Sequence, residues 1–299
     1  MLTPAEFVEA YAGIGAGKAK SPARRLFLLA VLAGFFIGMG GAASTTATHA
    51  LTNAAVARIV SGLLFPFGLI MVVFTGSELF TGNCLMTISV LSHRASLGEM
   101  VKNLAVVYLG NFTGALMLAA ACAFSGQMNL SGGLLAVAAI RTAAAKCSLP
   151  FGSAVLLGAL CNILVCAAVL CAISAKGAPG KAIGAFLPVC FFVVCGFEHS
   201  VANMYYIPAG LFALSVPKYA VLAANAGVDA AGLTWGGFLL RNLLPVTLGN
   251  LLGGCGFAAA IYAAYGNKGN RRDKRTEETK QQRREAPISS APAFTGASR

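Results

Sequence analysis

Two apolar runs in this chain, residues 59–91 and 183–214, are too long to cross a bilayer as straight helices. A helix of about 32 residues would reach roughly 48 Å at 1.5 Å per residue, against a hydrocarbon core of about 30 Å. Tilt does not absorb that excess, so each run is expected to be interrupted. The first contains 75-TGSELFTGNC-84; the second contains 195-CGFEHSVAN-203, followed by Pro208 and Gly210. Irregular backbone at membrane depth is tolerated only where protein or water satisfies it. Discontinuous helices in matching positions are the best sequence pointer to a transport site.

The remaining chain agrees with a membrane protein. Of 299 residues, 57% are hydrophobic and 11% charged, with a mean hydropathy of +0.75; soluble domains carry about 25% charged residues. Four further apolar runs, 26–47, 104–124, 152–173 and 234–265, bring the expected spans to six, with 125–151 as an external connecting loop. Six crossings put both termini on one side. Lys18, Lys20, Arg24, Arg25, Arg94, Lys102, Lys176 and Lys181 share that side with the basic tail, whereas Arg58, Arg141, Lys146, Lys218 and Arg241 lie opposite. The richer side is expected to be cytoplasmic, in a multi-pass protein of the cell membrane.

The N-terminal segment 1–25 lacks the pattern of a cleavable signal. The net charge of +12 does not point to nucleic acid, because residues 266–299 hold nine of the 22 Lys and Arg. That tail has almost nothing apolar to bury and is expected to be a disordered cytoplasmic extension meeting anionic lipid headgroups. The nine cysteines form no C-x-x-C pair and mostly sit in apolar stretches, as small hydrophobes do. No metal and no cofactor are expected.

An internal repeat links the two interruptions. Gly76, Glu78 and Asn83 recur at the same offsets as Gly196, Glu198 and Asn203. The following spans match further: 102-KNLAVVYLGNFTG-114 and 241-RNLLPVTLGNLLG-253 share a basic residue and then N-L-x-x-V-x-L-G-N-x-x-G. Each unit, 26–124 and 152–265, holds three spans. An odd number sends the second copy through the membrane from the opposite face, so the repeat must be inverted. The expected fold is an all-α membrane protein of six spans in two inverted three-helix repeats, with the second and fifth spans broken.

Ionisable groups inside a membrane default to functional or paired roles. Glu78 and Glu198 recur, as do Asn83 and Asn203, so these four are expected to stitch the breaks, the carboxylates accepting freed N–H groups. His199 has no counterpart, its equivalent being Leu79, so the repeat architecture does not require it. A histidine can exchange a proton near neutral pH, which favours a transport role over that of a neutral, hydrogen-bonded core residue; His49 and His93 lie near loops and carry no such weight. Thr81 offers a hydroxyl to backbone or to solute. Asn162 suits either helix–helix bonding or the pathway, and Lys146 either anion attraction or snorkelling. Phe65, Leu69, Leu79 and Phe192 are large apolar residues around the interruptions, and the residues alone do not separate core from constriction.

Three motifs carry a resemblance to the formate/nitrite transporter family: TGSELFTG (75–82), GALCNILVCA (158–167) and GFEHSVANMYYIP (196–208). The similarity spans about residues 5–265. It implies an aquaporin-like six-helix protomer in a homopentamer, each protomer with its own pore. It implies a central transport site of His199 and Thr81, with Asn162 near the histidine. Phe65, Leu69, Leu79 and Phe192 resemble the family's constriction positions, and Lys146 its outer lysine. It implies small monovalent weak-acid anions and protons as partners, formate first, with nitrite, hydrosulfide or lactate as alternatives. An aquaporin-type neutral-solute channel would show paired Asn-Pro-Ala motifs, and none occurs. An enzyme would need a nucleophile–base set or a metal cluster; one histidine with two scaffold carboxylates supplies neither, and no catalytic residue is assigned.

Overall fold

The computed structural model describes residues 1–266, and among these the regular structure is helical throughout. The expectation of a disordered tail falls, apart from Gly266, outside the described residues. The chain starts with α1 (Pro4–Ala19), closed by a Thr3–Glu6 capping box, and continues into α2 (Ala23–Thr48), the first span. The second span is divided. It runs through α3 (Ala54–Leu64) and α4 (Pro66–Thr75), leaves the helix at Gly76, and resumes as α5 (Phe80–Asn83) and α6 (Met86–Leu91). The third span is α7 (Leu97–Phe124), begun by a Ser96–Glu99 capping box.

The second half repeats this order. After α8 (Leu134–Cys147) come α9 (Phe151–Ser174), the divided fifth span α10 (Gly177–Cys195) plus α11 (Ser200–Leu214), the short α12 (Pro217–Asn225) and the sixth span α13 (Leu244–Ile261). One π turn, Gly237–Leu243, leads into α13 and another, Tyr262–Gly266, follows it. The outward faces stay apolar, with Leu109, Leu156, Leu160 and Leu252 exposed, as a lipid or subunit environment requires.

Both breaks have the same backbone. Gly76 ends α4 at φ 64° and Gly196 ends α10 at φ 72°. This left-handed conformation is open to glycine without a Cβ penalty. Glu78 N–H then crosses to Leu29 O and Glu198 N–H to Leu157 O, each at 3.3 Å. Helix contact is equally matched. A Cβ on Gly114 would collide with the Val31 carbonyl, and one on Gly253 with the Ala159 carbonyl. Two glycines from the matched motif therefore let α7 close on α2 and α13 close on α9.

The segment 125–151, expected as a loop, is largely folded. It opens with a 3-10 turn, Gln127–Gly133, whose Ser131 and Gly132 have positive φ, and then forms α8. Apolar composition makes this stretch look like a span, but α8 itself has 14 residues, about 21 Å at helical rise, short of a hydrocarbon core. Its counterpart in the first half is α1: the last turn of each carries the lysine, Lys18 or Lys146, that pairs with the glutamate of the break. Each structural repeat therefore starts one helix earlier than the spans suggest, and the N-terminal segment belongs to the first half.

Candidate functional site

Each break is held by a chain of five polar side chains, and the two chains share their amide–carboxylate, amide–amide, amide–backbone and lysine–glutamate bonds. Asn111 on α7 accepts from Phe80 N–H (2.9 Å) and donates to the carbonyls of Ala30 (2.8 Å) and Glu78 (2.9 Å). Asn250 on α13 accepts from Ser200 N–H (2.9 Å) and donates to the carbonyls of Gly158 (2.8 Å) and Glu198 (3.0 Å). Asn83 Nδ2 donates to Glu78 (2.7 Å) and Asn103 (2.8 Å), as Asn203 Nδ2 does to Glu198 (2.6 Å) and Asn242 (2.7 Å). Asn103 and Asn242 reach back to the carbonyls of Lys18 and Lys146. Those lysines pair with Glu78 at 2.6 Å and Glu198 at 2.7 Å.

The scaffold expectation for Glu78 and Glu198 needs a correction in mechanism. Their carboxylates bind a lysine and an asparagine amide rather than the freed N–H groups. Asn111 and Asn250 serve the backbone instead, since an amide both donates and accepts and a carboxylate only accepts. Sequence reasoning gave no role to Lys18, Asn103, Asn242, Asn111 or Asn250. The signal was present for four of them: the two shared asparagines of the matched motifs are these side chains.

Where the halves differ, they meet. His199 Nε2 lies 2.9 Å from Thr81 Oγ1, with both residues buried. Thr81 follows the first break and His199 caps α11 at the second, its Nδ1 accepting Ala202 N–H at 3.0 Å. That contact leaves Nδ1 unprotonated, so the neutral ring carries its proton on Nε2 and donates to Thr81. Asn162 is also buried, but its amide donates to Asn250 O at 2.6 Å. Among the described residues it bonds neither Thr81 nor His199.

Two cavities approach this pair from opposite ends and share no lining residue. One, of about 480 Å³, is lined by Lys18, Arg25, Lys181, Glu78, Leu69 and Leu79. The other, of about 660 Å³, is lined by Arg58, Arg141, Lys146, Phe65, Phe192 and His199. Phe65 and Phe192 meet edge to face at 5.8 Å, and Phe192 stacks on His199 at 5.9 Å. The four large apolar residues thus divide between the linings of the two cavities. Lys146 is only 17% exposed and engages Glu198, so it faces the mouth as a paired cation and does not snorkel.

Inverted halves, a doubled scaffold and one asymmetric polar pair between two basic mouths define a membrane protein of the inverted-repeat channel and transporter class. The formate/nitrite transporter family model matches residues 5–264. The chain is 38% identical over 260 residues to the formate channel FocA of Haemophilus influenzae, covering 85% of this chain and 90% of that one. It is 36% identical over 278 residues to a probable formate transporter of Methanothermobacter thermautotrophicus, covering 87% and 95%. A solved pentameric formate channel with formate bound matches at a TM-score of 0.72 and 36% identity, covering 82% of this chain and 98% of that one. The chain belongs to the formate/nitrite transporter family.

Proposed function

We propose that the protein passes small monovalent weak-acid anions across the cell membrane, formate foremost, linked to protons at His199. The Thr81–His199 pair carries this reading. It is a buried polar contact between the two halves that the repeat does not duplicate, and it lies between mouths lined with Lys and Arg. A bare anion does not cross a dry apolar constriction at reasonable cost. Cations draw it to a mouth, and Phe65 and Phe192 on one side with Leu69 and Leu79 on the other form the apolar restrictions. At rest His199 is neutral and caps α11. An arriving anion favours the charged ring. Protonation at Nδ1 releases one backbone cap, a cost of about 1 kcal/mol, and the Nε2 proton then passes to the anion directly, through Thr81 or through water. The neutral acid crosses and leaves a neutral ring protonated on Nδ1; loss of that proton and uptake of one at Nε2, both through water, restore the resting tautomer and its cap. Asn162 supports the site from α9 by holding the Asn250 carbonyl.

The working form is a homopentamer, in line with the pentameric state of the matched channel, with one pore per protomer, set in membrane lipid with both termini cytoplasmic. Nitrite, hydrosulfide and lactate are the competing cargoes. Reconstitution in liposomes tests the proposal: formate is expected to enter faster than the other three and with a proton. Uptake of formate no faster than in protein-free liposomes would reject it.

A further inference from the structure

The two halves hold their lysines differently. In the first, Lys18 Nζ donates to Glu78 at 2.6 Å and to Asn83 Oδ1 at 3.0 Å. In the second, Lys146 Nζ donates to Glu198 at 2.7 Å and sits 5.5 Å from the centre of the Tyr206 ring. A cation over a tyrosine face is attracted by the ring quadrupole. The residue equivalent to Tyr206 is Met86, which has no ring.

The consequence falls on Asn203. Its Oδ1 has no hydrogen-bond partner among the described residues, although the side chain is fully buried. The amide cannot turn to cure this. Its Nδ2 donates to Glu198 and Asn242 Oδ1, so a flip would set oxygen against oxygen twice. Ser200 Oγ, one residue from His199, is also buried and unpartnered. Both unpartnered atoms are buried on the first turn of α11, and Asn203 lines the same cavity as Lys146, Tyr206 and His199.

We infer that Tyr206 is a positioning residue that holds Lys146 away from Asn203, and that the freed Asn203 Oδ1 forms a subsite for the O–H group of an undissociated weak acid. The inference rests on the transport reading above. A carbonyl oxygen repels a carboxylate and accepts from a carboxylic acid, so this subsite selects the protonated form beside His199. At the other mouth Lys18 occupies the equivalent acceptor, and no such subsite exists. The mouths are therefore chemically unequal, although the scaffold that builds them is the same.

Replacing Tyr206 by Met makes the second half a copy of the first, and Tyr206→Phe keeps the ring. Initial formate uptake by the full-length protein is measured in intact cells for one mouth and in inside-out vesicles for the other, across acid to neutral pH. Tyr206→Met is expected to raise the half-saturating formate concentration about three- to fivefold at the Lys146 mouth, most strongly at acid pH. The maximal rate and the Lys18 mouth stay unchanged, and Tyr206→Phe behaves as the parent. A structure of the Tyr206→Met protein by electron cryomicroscopy is expected to show Lys146 donating to Asn203 Oδ1. Three results overturn the inference: no change at the Lys146 mouth, an equal change at both mouths, or Tyr206→Phe as impaired as Tyr206→Met. A shift of equal size at every pH also overturns it, by assigning the acceptor to water. If the parent protein moves no formate, the transport reading fails separately, and a Lys146 still on Glu198 alone in the Tyr206→Met structure then rejects the role of Tyr206.

Discussion

Asn111 and Asn250 make the same three hydrogen bonds at opposite breaks: one accepted from the helix that restarts, one donated across to the preceding span, and one donated to the carbonyl of the break glutamate. Replacing either by leucine keeps the branched shape, takes this partner from the restarting amide and from the break glutamate's carbonyl, and removes a second bond from a carbonyl inside the preceding span. Each unmet group costs about 1–3 kcal/mol. Both variants are expected to lose the folded oligomer to a similar degree in detergent, read by size-exclusion chromatography and thermal unfolding. A variant at either position with parental stability would show that its break is held by other contacts.

Lys18 and Glu78 form a largely buried ion pair, 20% and 9% exposed. Lys18→Met leaves the carboxylate charged and unpaired, a loss of roughly 3 kcal/mol. Adding Glu78→Gln removes the charge and is expected to recover most of that stability, while Asn83 keeps a partner. Thermal unfolding of the two single variants and the double variant checks this. A double variant less stable than Lys18→Met would locate the lysine's contribution outside the pair.

His199→Asn is expected to fold and assemble, because asparagine is a strong N-cap and can accept Ala202 N–H as the imidazole does. It has no group that titrates near neutral pH. Parental uptake is expected to rise as external pH falls, and uptake by the variant to be flat with pH. Liposome uptake with a pH-sensitive dye inside measures both. Unchanged rate and pH dependence in the variant would reduce His199 to a core hydrogen-bonding residue.

Leu79 and Phe192 line different cavities. Replacing both by alanine is expected to speed anion leakage and to weaken discrimination between formate and larger anions such as lactate. Flux and selectivity like the parent, in protein shown to be assembled, would place the restrictions elsewhere.

Much of this was legible in the chain. Helix length against bilayer thickness demanded two broken spans, and the offsets of Gly76, Glu78 and Asn83 against Gly196, Glu198 and Asn203 paired them. The odd number of spans per unit required inversion. These are one-dimensional constraints, because hydrophobic length and spacing along the chain carry them directly. The special status of His199 was visible too, since a comparison of two copies exposes whatever only one possesses.

Partnership was not legible. Lys18 lies far from Glu78 in the chain, and nothing local says that its amine crosses to it. Residues 125–151 read as an external loop, and only packing made α8 the counterpart of α1. The glutamates were expected to serve the breaks; the fold gave that task to Asn111 and Asn250, because an amide satisfies donors and acceptors together and an ionised carboxylate only donors. The asymmetry between Lys18 and Lys146 depends on a tyrosine 60 residues beyond the second lysine. Hydrogen bonds and cation–ring contacts act over a few ångströms in space, whatever the separation in the chain. The sequence therefore determined the spans, their breaks and their inversion, and the tertiary structure decided which side chains meet at the centre.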